Sequence, residues 1–518
     1  MPGAVLNNRR IAKNTLFLYF RQILVIVVSL YTVRVVLAAL GVEDYGIYNV
    51  VGGFVAMFNV LSGALSVAIS RFITYEMGQE QGENQSRLQK IFSSSVIIQI
   101  GMGLFIVLLL STFGIWFVKE QLVIPQERLD AAVCVLLLSS VSFFVNLLSV
   151  PYNALIIAHE QMKAFAYISI VEAVLKLAVA FLLIVLSMDK LVLYGICMVM
   201  VSCVICLSYV LYCKRHFEEC HFILEFDIRL LSRMFTFSGW AFLGNGSFVV
   251  KEQGVNILLN MFCGPAVNAA RGITTQVTAA VTMFVSNFMQ AVNPQITKSY
   301  SSGNLENMRN LVFNSSRFSF FLLLLLGLPL MKNIDYVLSL WLVSVPEYTG
   351  LFIQLLLVFC LMDCVVQPLM IGLLAEGNIR IYEIALVVLN AGNVILSYFA
   401  LKHGFVPESV YVVSIIVEIG IMWSRIWLSG KAYELPIKKY CIEVISKVAI
   451  IAVITGIFTY WFSLPIENLF GRFITVSIIV VLFTAVVIYI IGLRDSEKSF
   501  IFKQIKNRLS ISGYINLK

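Results

Sequence analysis

Charge is what this 518-residue chain has least of: Asp, Glu, Lys and Arg make up 13% of it, against 60% hydrophobic residues. With a mean hydropathy of +0.91, that balance excludes an ordinary soluble domain, in which about a quarter of the residues are charged. Long polar stretches are also missing. No joint between apolar segments exceeds ~20 residues, which leaves no room for a folded domain or a catalytic head outside a bilayer. Histidine is rare, with His159, His216, His221 and His403 all at joints, and the ten cysteines lie mostly within or beside apolar runs. Cys203-x-x-Cys206 stands isolated on an apolar helix, so buried free thiols are expected, with no metal and no cofactor. No nucleophile and base constellation and no phosphate-binding glycine loop stands out, so an enzyme is not expected.

What the chain does have is apolar runs. A membrane span needs about 20 apolar residues, and about fourteen such segments follow one another: 15–39, 46–70, 91–117, 131–157, 165–187, 191–213, 234–262, 266–292, 311–331, 348–374, 381–401, 408–428, 442–463 and 473–492. The expected fold is an all-α polytopic membrane protein. The first span follows a basic stretch and resembles a signal peptide at its start, but its apolar run is too long and Arg21 and Arg34 interrupt it, so it is expected to stay in place.

Basic residues orient the spans. With the N-terminus inside, the inner joints carry Arg9, Arg10, Lys13, Arg71, Arg87, Lys90, Arg229, Arg233, Arg380, Lys438, Lys439 and others, and the outer joints only Lys119, Arg128, Lys190, Lys332, Lys402 and Arg472. The ratio is about four to one and places both termini in the cytoplasm. The net charge of +8 and a pI near 8.9 then describe inner loops beside anionic lipid and call for no nucleic acid.

Two halves share a plan. The run Gly41 to Asn49 opens a span that ends in Arg71 to Gly78, followed by a polar stretch to Lys90. The run Gly264 to Gly272 opens another that ends in Pro294 to Tyr300, followed by a polar stretch to Asn310. The offset covers an even number of spans, which predicts parallel repeats with a substrate site between them. The expected organisation is an N-terminal lobe at 1–213, a cytoplasmic linker at 214–233, a C-terminal lobe at 234–430, and two extra spans with a cytoplasmic tail at 431–518.

Asn14-Thr15-Leu16, the stretch Gly41 to Tyr48, Arg71-Phe72 and Gly78 resemble the N-terminal region of bacterial polysaccharide exporters, and Ala291 to Ile296 with Gly303 is similar to a second-half segment of the same family. These are the O-antigen and capsule flippases of the multidrug/oligosaccharidyl-lipid/polysaccharide exporter superfamily. The resemblance implies two six-helix lobes around a cavity that opens alternately to either side of the bacterial inner membrane. It also implies an undecaprenyl-pyrophosphate-linked oligosaccharide as cargo, with membrane lipids and other polysaccharide-assembly proteins as candidate partners.

Charges deep in spans are costly, roughly 2.5 to more than 10 kcal/mol each, so they mark cavities or partners. The deep bases are Arg21, Arg34, Lys176, Lys251 and Arg271, and the deep acids Glu172, Glu252, Asp363 and Glu418. Arginine's planar fork suits a diphosphate, which makes Arg21 and Arg271 the leading candidates for substrate contact, with Lys251 and Arg34 behind them. Arg34 and Arg271 both lie near span ends, where snorkelling is the plainer account. Lys176 has Glu172 one turn earlier, so an intrahelical pair competes with cargo contact. Lys251 and Glu252 are adjacent and are expected to point apart. Arg317, Arg425 and Lys447 lie near inner span ends and are expected to snorkel.

Asp363, beside a carbonyl freed by Pro368, and Glu252 are the candidates for ion coupling; a structural hydrogen bond between helices is the competing account. Tyr45, Tyr48, Asn49 and Asn268 could touch sugars or simply anchor helix ends at the interface. A cation-coupled multidrug exporter is the alternative function. It calls for an acidic cavity, whereas deep bases outnumber deep acids by one.

Overall fold

The computed structural model describes residues 2–499 apart from 57, 80–83, 121–123, 187, 221–227, 264, 342–344 and 466. The far end of the expected cytoplasmic tail, most of the 221–233 part of the expected linker, His221, and the side chains of Arg9, Arg10, Lys13, Asn49 and Asn268 lie outside the described residues.

The described chain is almost wholly helical and contains no strand. Its helices are α1 (Pro2–Ala56), α2 (Asn59–Met77), α3 (Asn84–Leu109), α4 (Ile115–Glu120), α5 (Leu129–Ala158), α6 (Met162–Val185), α7 (Lys190–His216), α8 (Ile228–Cys263), α9 (Pro265–Ser301), α10 (Leu305–Lys332), α11 (Ile334–Trp341), α12 (Thr349–Glu376), α13 (Arg380–Lys402), α14 (Ser409–Ala432), α15 (Ile437–Tyr440), α16 (Lys447–Trp461) and α17 (Leu469–Val487). Long α1 is broken at Gly41, whose φ of 81° and ψ of 169° are far from helical. Glycine reaches that conformation without a Cβ penalty, and the break falls between the first two expected spans. Other boundaries follow side-chain capping. Asp189 accepts from the Leu191 and Val192 amides at 3.0 and 3.3 Å ahead of α7, and Asn468 does the same for α17.

Among the described residues, eleven helical segments are long and apolar enough to cross a membrane. The expected spans at 46–70, 234–262 and 266–292 are helical too but carry more polar side chains, and the last two hold Lys251, Glu252 and Arg271. Helix α14 shows how the solvent sorts its faces. Glu418, Arg425 and Ser429 are buried, while Ile416, Ile419, Trp423 and Trp427 face outward. Such a helix is stable where the surroundings are hydrocarbon and the polar groups find partners inside.

The chain divides into two compact units. The first comprises Met1–Val249, Gln290–Met308 and Ile371–Val387, and the second Val250–Met289, Arg309–Met370 and Val388–Lys518. The first unit has an apolar core in which Ile69, Ile73, Phe92, Leu155, Ile156, Ala180 and Leu183 are almost fully buried. In the second, Leu259, Ala270, Phe352 and Val410 form one core, and Leu338, Ile353 and Leu357 another. The helices that follow Pro436 pack into this second unit through buried polar bonds. The Tyr440 hydroxyl donates to the Val365 carbonyl at 3.0 Å and lies 2.9 Å from Ser316 Oγ.

Arg317, expected to snorkel, is 1% exposed. Its guanidinium donates to the Gly492 carbonyl at 2.8 Å, to Glu497 at 2.7 Å and to Asn314 at 2.7 Å. It ties α10 to the end of the last helix, so packing, and not nearness to the interface, decides where this side chain goes.

Candidate functional site

The second unit gathers six charged side chains from four helices. Neighbouring positions 251 and 252 on α8 meet Arg271 from α9, which is 7% exposed. Arg271 Nη2 donates to Glu252 Oε2 at 2.7 Å and to the Glu252 carbonyl at 3.2 Å. Lys251 Nζ lies 3.5 Å from Glu252 Oε1 and 4.9 Å from the centre of the Phe359 ring on α12. The expectation that Lys251 and Glu252 point apart is therefore corrected. Their Cα to Cβ bonds diverge, but both side chains are long enough to bend back to one another, and burial of the ammonium supplies the reason. Arg271 is likewise buried and not at a snorkelling position, with its guanidinium 5.9 Å from the Tyr411 ring.

A second pair lies within the same unit. Arg425 Nη1 donates to Asp363 Oδ1 at 2.7 Å, joining α14 to α12. Arg425 is 8% exposed, so its expected snorkelling is also corrected: a carboxylate within reach on the facing helix holds it inside. Tyr411, Glu418 and Arg425 repeat every seven residues and so share one face of α14. Glu418 is 2% exposed, and one carboxylate oxygen has no hydrogen-bond partner among the described residues. It also forms no ion pair within 4.0 Å among them.

The first unit holds the other sequence candidates. Arg21 on α1 is half-buried, donates to Gln22 Oε1 at 3.1 Å and lies over the Phe165 ring at 4.7 Å. Arg34 is exposed. Lys176 and Glu172 form the one-turn pair anticipated for them, at 2.6 Å. Tyr48 stacks edge-on against Tyr194 with ring centres 4.6 Å apart.

Arg71 does more than mark an inner loop. Its Nε and Nη2 donate to the carbonyls of Leu374, Ala375 and Glu376 at 3.0, 3.1 and 3.2 Å, capping the end of α12. In the same unit Glu160 receives Gln295 Nε2 at 3.0 Å and Lys298 Nζ at 3.4 Å. Here the ends of helices from both halves of the sequence meet, a contact no local sequence signal announces.

Chemically, the α8 and α9 group places two buried cations on one carboxylate. An anion with several oxygens can take the place of that carboxylate without leaving either cation alone. Among the described residues no cluster of three or more His, Cys, Asp or Glu is arranged to hold a metal ion.

Comparisons with known proteins agree on the architecture. The chain superposes on a multidrug resistance MATE family transporter of the MOP superfamily in its outward-facing conformation, with 13% identity, a TM-score of 0.70 and coverage of 82% of this chain and 96% of that one. A MOP superfamily transporter from Pyrococcus furiosus, described by the reverse polarity of its binding pocket, gives 13% identity, a TM-score of 0.70 and coverage of 83% and 96%. A MATE transporter from Vibrio cholerae gives 14%, 0.68, 83% and 98%. No curated protein matches in sequence. The fold is thus that of a MATE-like membrane transporter. Residues 11–300, more than half of the chain, match the family described as polysaccharide biosynthesis protein, and this chain belongs to that family.

Proposed function

We propose that this chain is a flippase that moves a lipid-linked oligosaccharide, carried on undecaprenyl pyrophosphate, from the inner to the outer leaflet of the bacterial cytoplasmic membrane by alternating access. The observation that carries the reading is the convergence of Arg271 and Lys251 on the single carboxylate of Glu252. Without cargo, Glu252 offsets one of the two positive charges it touches and leaves the group with a net charge of about +1. A diphosphate offers more oxygens and more charge, and competes for the Arg271 fork. Membership of a polysaccharide biosynthesis family supports a glycan cargo. The Pyrococcus furiosus relative, for which reversed pocket polarity suggests a different function, supports reading function on this fold from pocket charge.

In this reading Arg21, whose fork is braced on Phe165, is a further head-group contact, and Arg34 a peripheral one. Asp363 and Glu252 are the ion-coupling carboxylates, each of which must exchange its basic partner for an ion. Both termini lie in the cytoplasm.

The multidrug alternative draws on the deep charged group of the second unit, where three acids, Glu252, Asp363 and Glu418, match three bases, Lys251, Arg271 and Arg425. Deleting the gene and following the lipid-linked glycan separates the two. Glycan held in the inner leaflet is the expected result; unaltered outer-leaflet exposure, with no redundant transporter present, overturns the flippase. Arg271→Ala and Arg21→Ala are each expected to abolish translocation at normal protein levels, with lysine retaining part of it. Full activity in both alanine variants removes these residues from the mechanism.

A further inference from the structure

At one end of the helices of the first unit lies a cavity of about 1280 Å³ that none of the preceding chemistry uses. It is larger than the roughly 300–1,000 Å³ of a common small-molecule pocket. Its walls come from the end of α2, the start of α3, the start of α8 and the turn between α12 and α13. Among the described residues six bases line it, Arg71, Arg87, Lys90, Arg229, Arg233 and Arg380, against two acids, Glu76 and Glu376.

The bases are positioned, not merely scattered. The Arg71 guanidinium is packed by the rings of Phe72, Tyr75 and Phe237 at 4.8, 5.0 and 5.3 Å, and its Nη1 takes no part in the three bonds to the α12 carbonyls. Arg380 lies over Trp240 at 5.5 Å. A guanidinium stacked on a ring keeps its in-plane N–H groups available at the edge, the geometry that binds phosphate oxygens. Arg87 is held near Glu76 at 3.5 Å, and Arg229 and Arg233 stand exposed one turn apart on α8. Among the described residues, bases outnumber acids around a floor of Trp240, Phe72 and Phe237, which matches a ligand with a phosphate at one end and apolar or neutral bulk behind it.

We propose that this cavity is a second anion site, selective for a phosphate group that carries net negative charge, and that it shares no residue with the Lys251 and Arg271 site. The phosphate could be borne by a lipid headgroup or be free in solution; the chemistry that recognises it is the same. The site does not depend on the transport reading, because it is tested by binding alone.

The test uses the full chain purified in a neutral detergent and measures the shift in thermal unfolding on titration with short-chain phosphatidylglycerol, short-chain phosphatidylcholine and inorganic pyrophosphate. Stabilisation by phosphatidylglycerol or by pyrophosphate, with none by phosphatidylcholine, supports the site; the first alone assigns it to a headgroup, the second to a soluble phosphate. The double variant R229Q/R233Q leaves the packed Arg71 intact and is expected to weaken that binding roughly 10- to 30-fold, at about three- to fivefold per surface base. The control K214Q/R215Q removes two exposed bases of the same unit that do not line the cavity and is expected to leave binding within about twofold. Absence of stabilisation by either anion, equal stabilisation by phosphatidylcholine, unchanged affinity in R229Q/R233Q, or an equal loss in the control would each overturn the proposal.

Discussion

In the second unit each deep base lies against a carboxylate: Lys251 and Arg271 share Glu252, and Arg425 holds Asp363. In the first unit Arg71 lies against three backbone carbonyls and three rings, within a cavity lined by six bases and two acids. The two regions differ in how burial of a cation is made tolerable. Mid-helix, where hydrocarbon surrounds the bundle, only an opposite charge offsets the desolvation of an ion. At helix ends, unpaired carbonyls with their partial negative charge and the faces of aromatic rings suffice. A site of the first kind has its positive charge offset, wholly or in part, by an acid that a ligand must displace; at Arg71 the partners are carbonyls and rings, and an anion has no carboxylate to displace there.

The sharpest way to break this contrast is to orphan a mid-helix cation. Asp363→Asn leaves Arg425 buried without its partner and is expected to lower stability by about 3 kcal/mol, the low end for a broken buried pair because the Asp363 side chain is 39% exposed. A double change, Asp363→Leu with Arg425→Met, should recover most of the loss in detergent-solubilised thermal melts. If the single change is as mild as the double, the pair is not a buried ion pair in effect.

Next in size is the helix-end case. Arg71→Ala removes three charge-assisted bonds to carbonyls and is expected to cost about 3 kcal/mol. Gly377→Ala attacks the same joint from the other side: its φ is +98°, and a Cβ there would stand 2.2 Å from Arg71 Nη2. A loss of about 2 kcal/mol from strain and displacement is expected, and the two changes should be less than additive, since they disturb one contact. Full additivity in a double-mutant cycle would separate them.

Glu252→Gln sharpens the comparison further. It leaves two cations on a neutral amide, and with the Glu252 side chain 35% exposed a loss of about 2 kcal/mol is expected. Inorganic pyrophosphate should restore the melting temperature of this variant more than that of the parent, because the anion replaces the missing charge. Equal shifts in both would argue that the two bases do not hold an anion together.

The smallest expected effect lies outside the spans. Burial pushes the Asp189 carboxyl up, but the Val192 and Leu191 amides and the Arg128 guanidinium outweigh it and hold it below the usual carboxylate range. A depressed value means that its stabilisation is complete above the ordinary carboxylate pKa of about 4 and is lost as pH falls through the lower folded value. Asp189→Asn keeps the helix cap, so its deficit in melting temperature should be present at pH 7 and shrink toward pH 3. A deficit constant across that range would assign the effect to the cap.

Much of the architecture could be read from the order of apolar runs, since hydrocarbon demands helices of one length and turns between them. The break at Gly41 and the one-turn Lys176 and Glu172 pair were legible because both are local. The corrections arose where the deciding partner was distant in sequence. Arg317 and Arg425 looked like snorkelling residues by position alone, yet Glu497 and Asp363 hold them inside. The seven-residue repeat of Tyr411, Glu418 and Arg425 was a visible sign of one polar face on α14, and it was the signal to weigh. In the sequence Arg71 served to orient the spans and to carry part of the repeat and the family resemblance, but nothing near residue 71 announces a helix end some 300 residues away.

The Arg71 joint has a consequence for how much of the population is open as well as for stability. Release of the α12 end from α2 requires all three bonds to part together, and a net difference of about 3 kcal/mol corresponds to an open population of roughly one molecule in two hundred. The turn at Gly377 is therefore seated against Arg71 in all but that small fraction of molecules. One arginine thus rivets together two helix ends some 300 residues apart in the chain, and weakening any one of its three bonds loosens both ends at once.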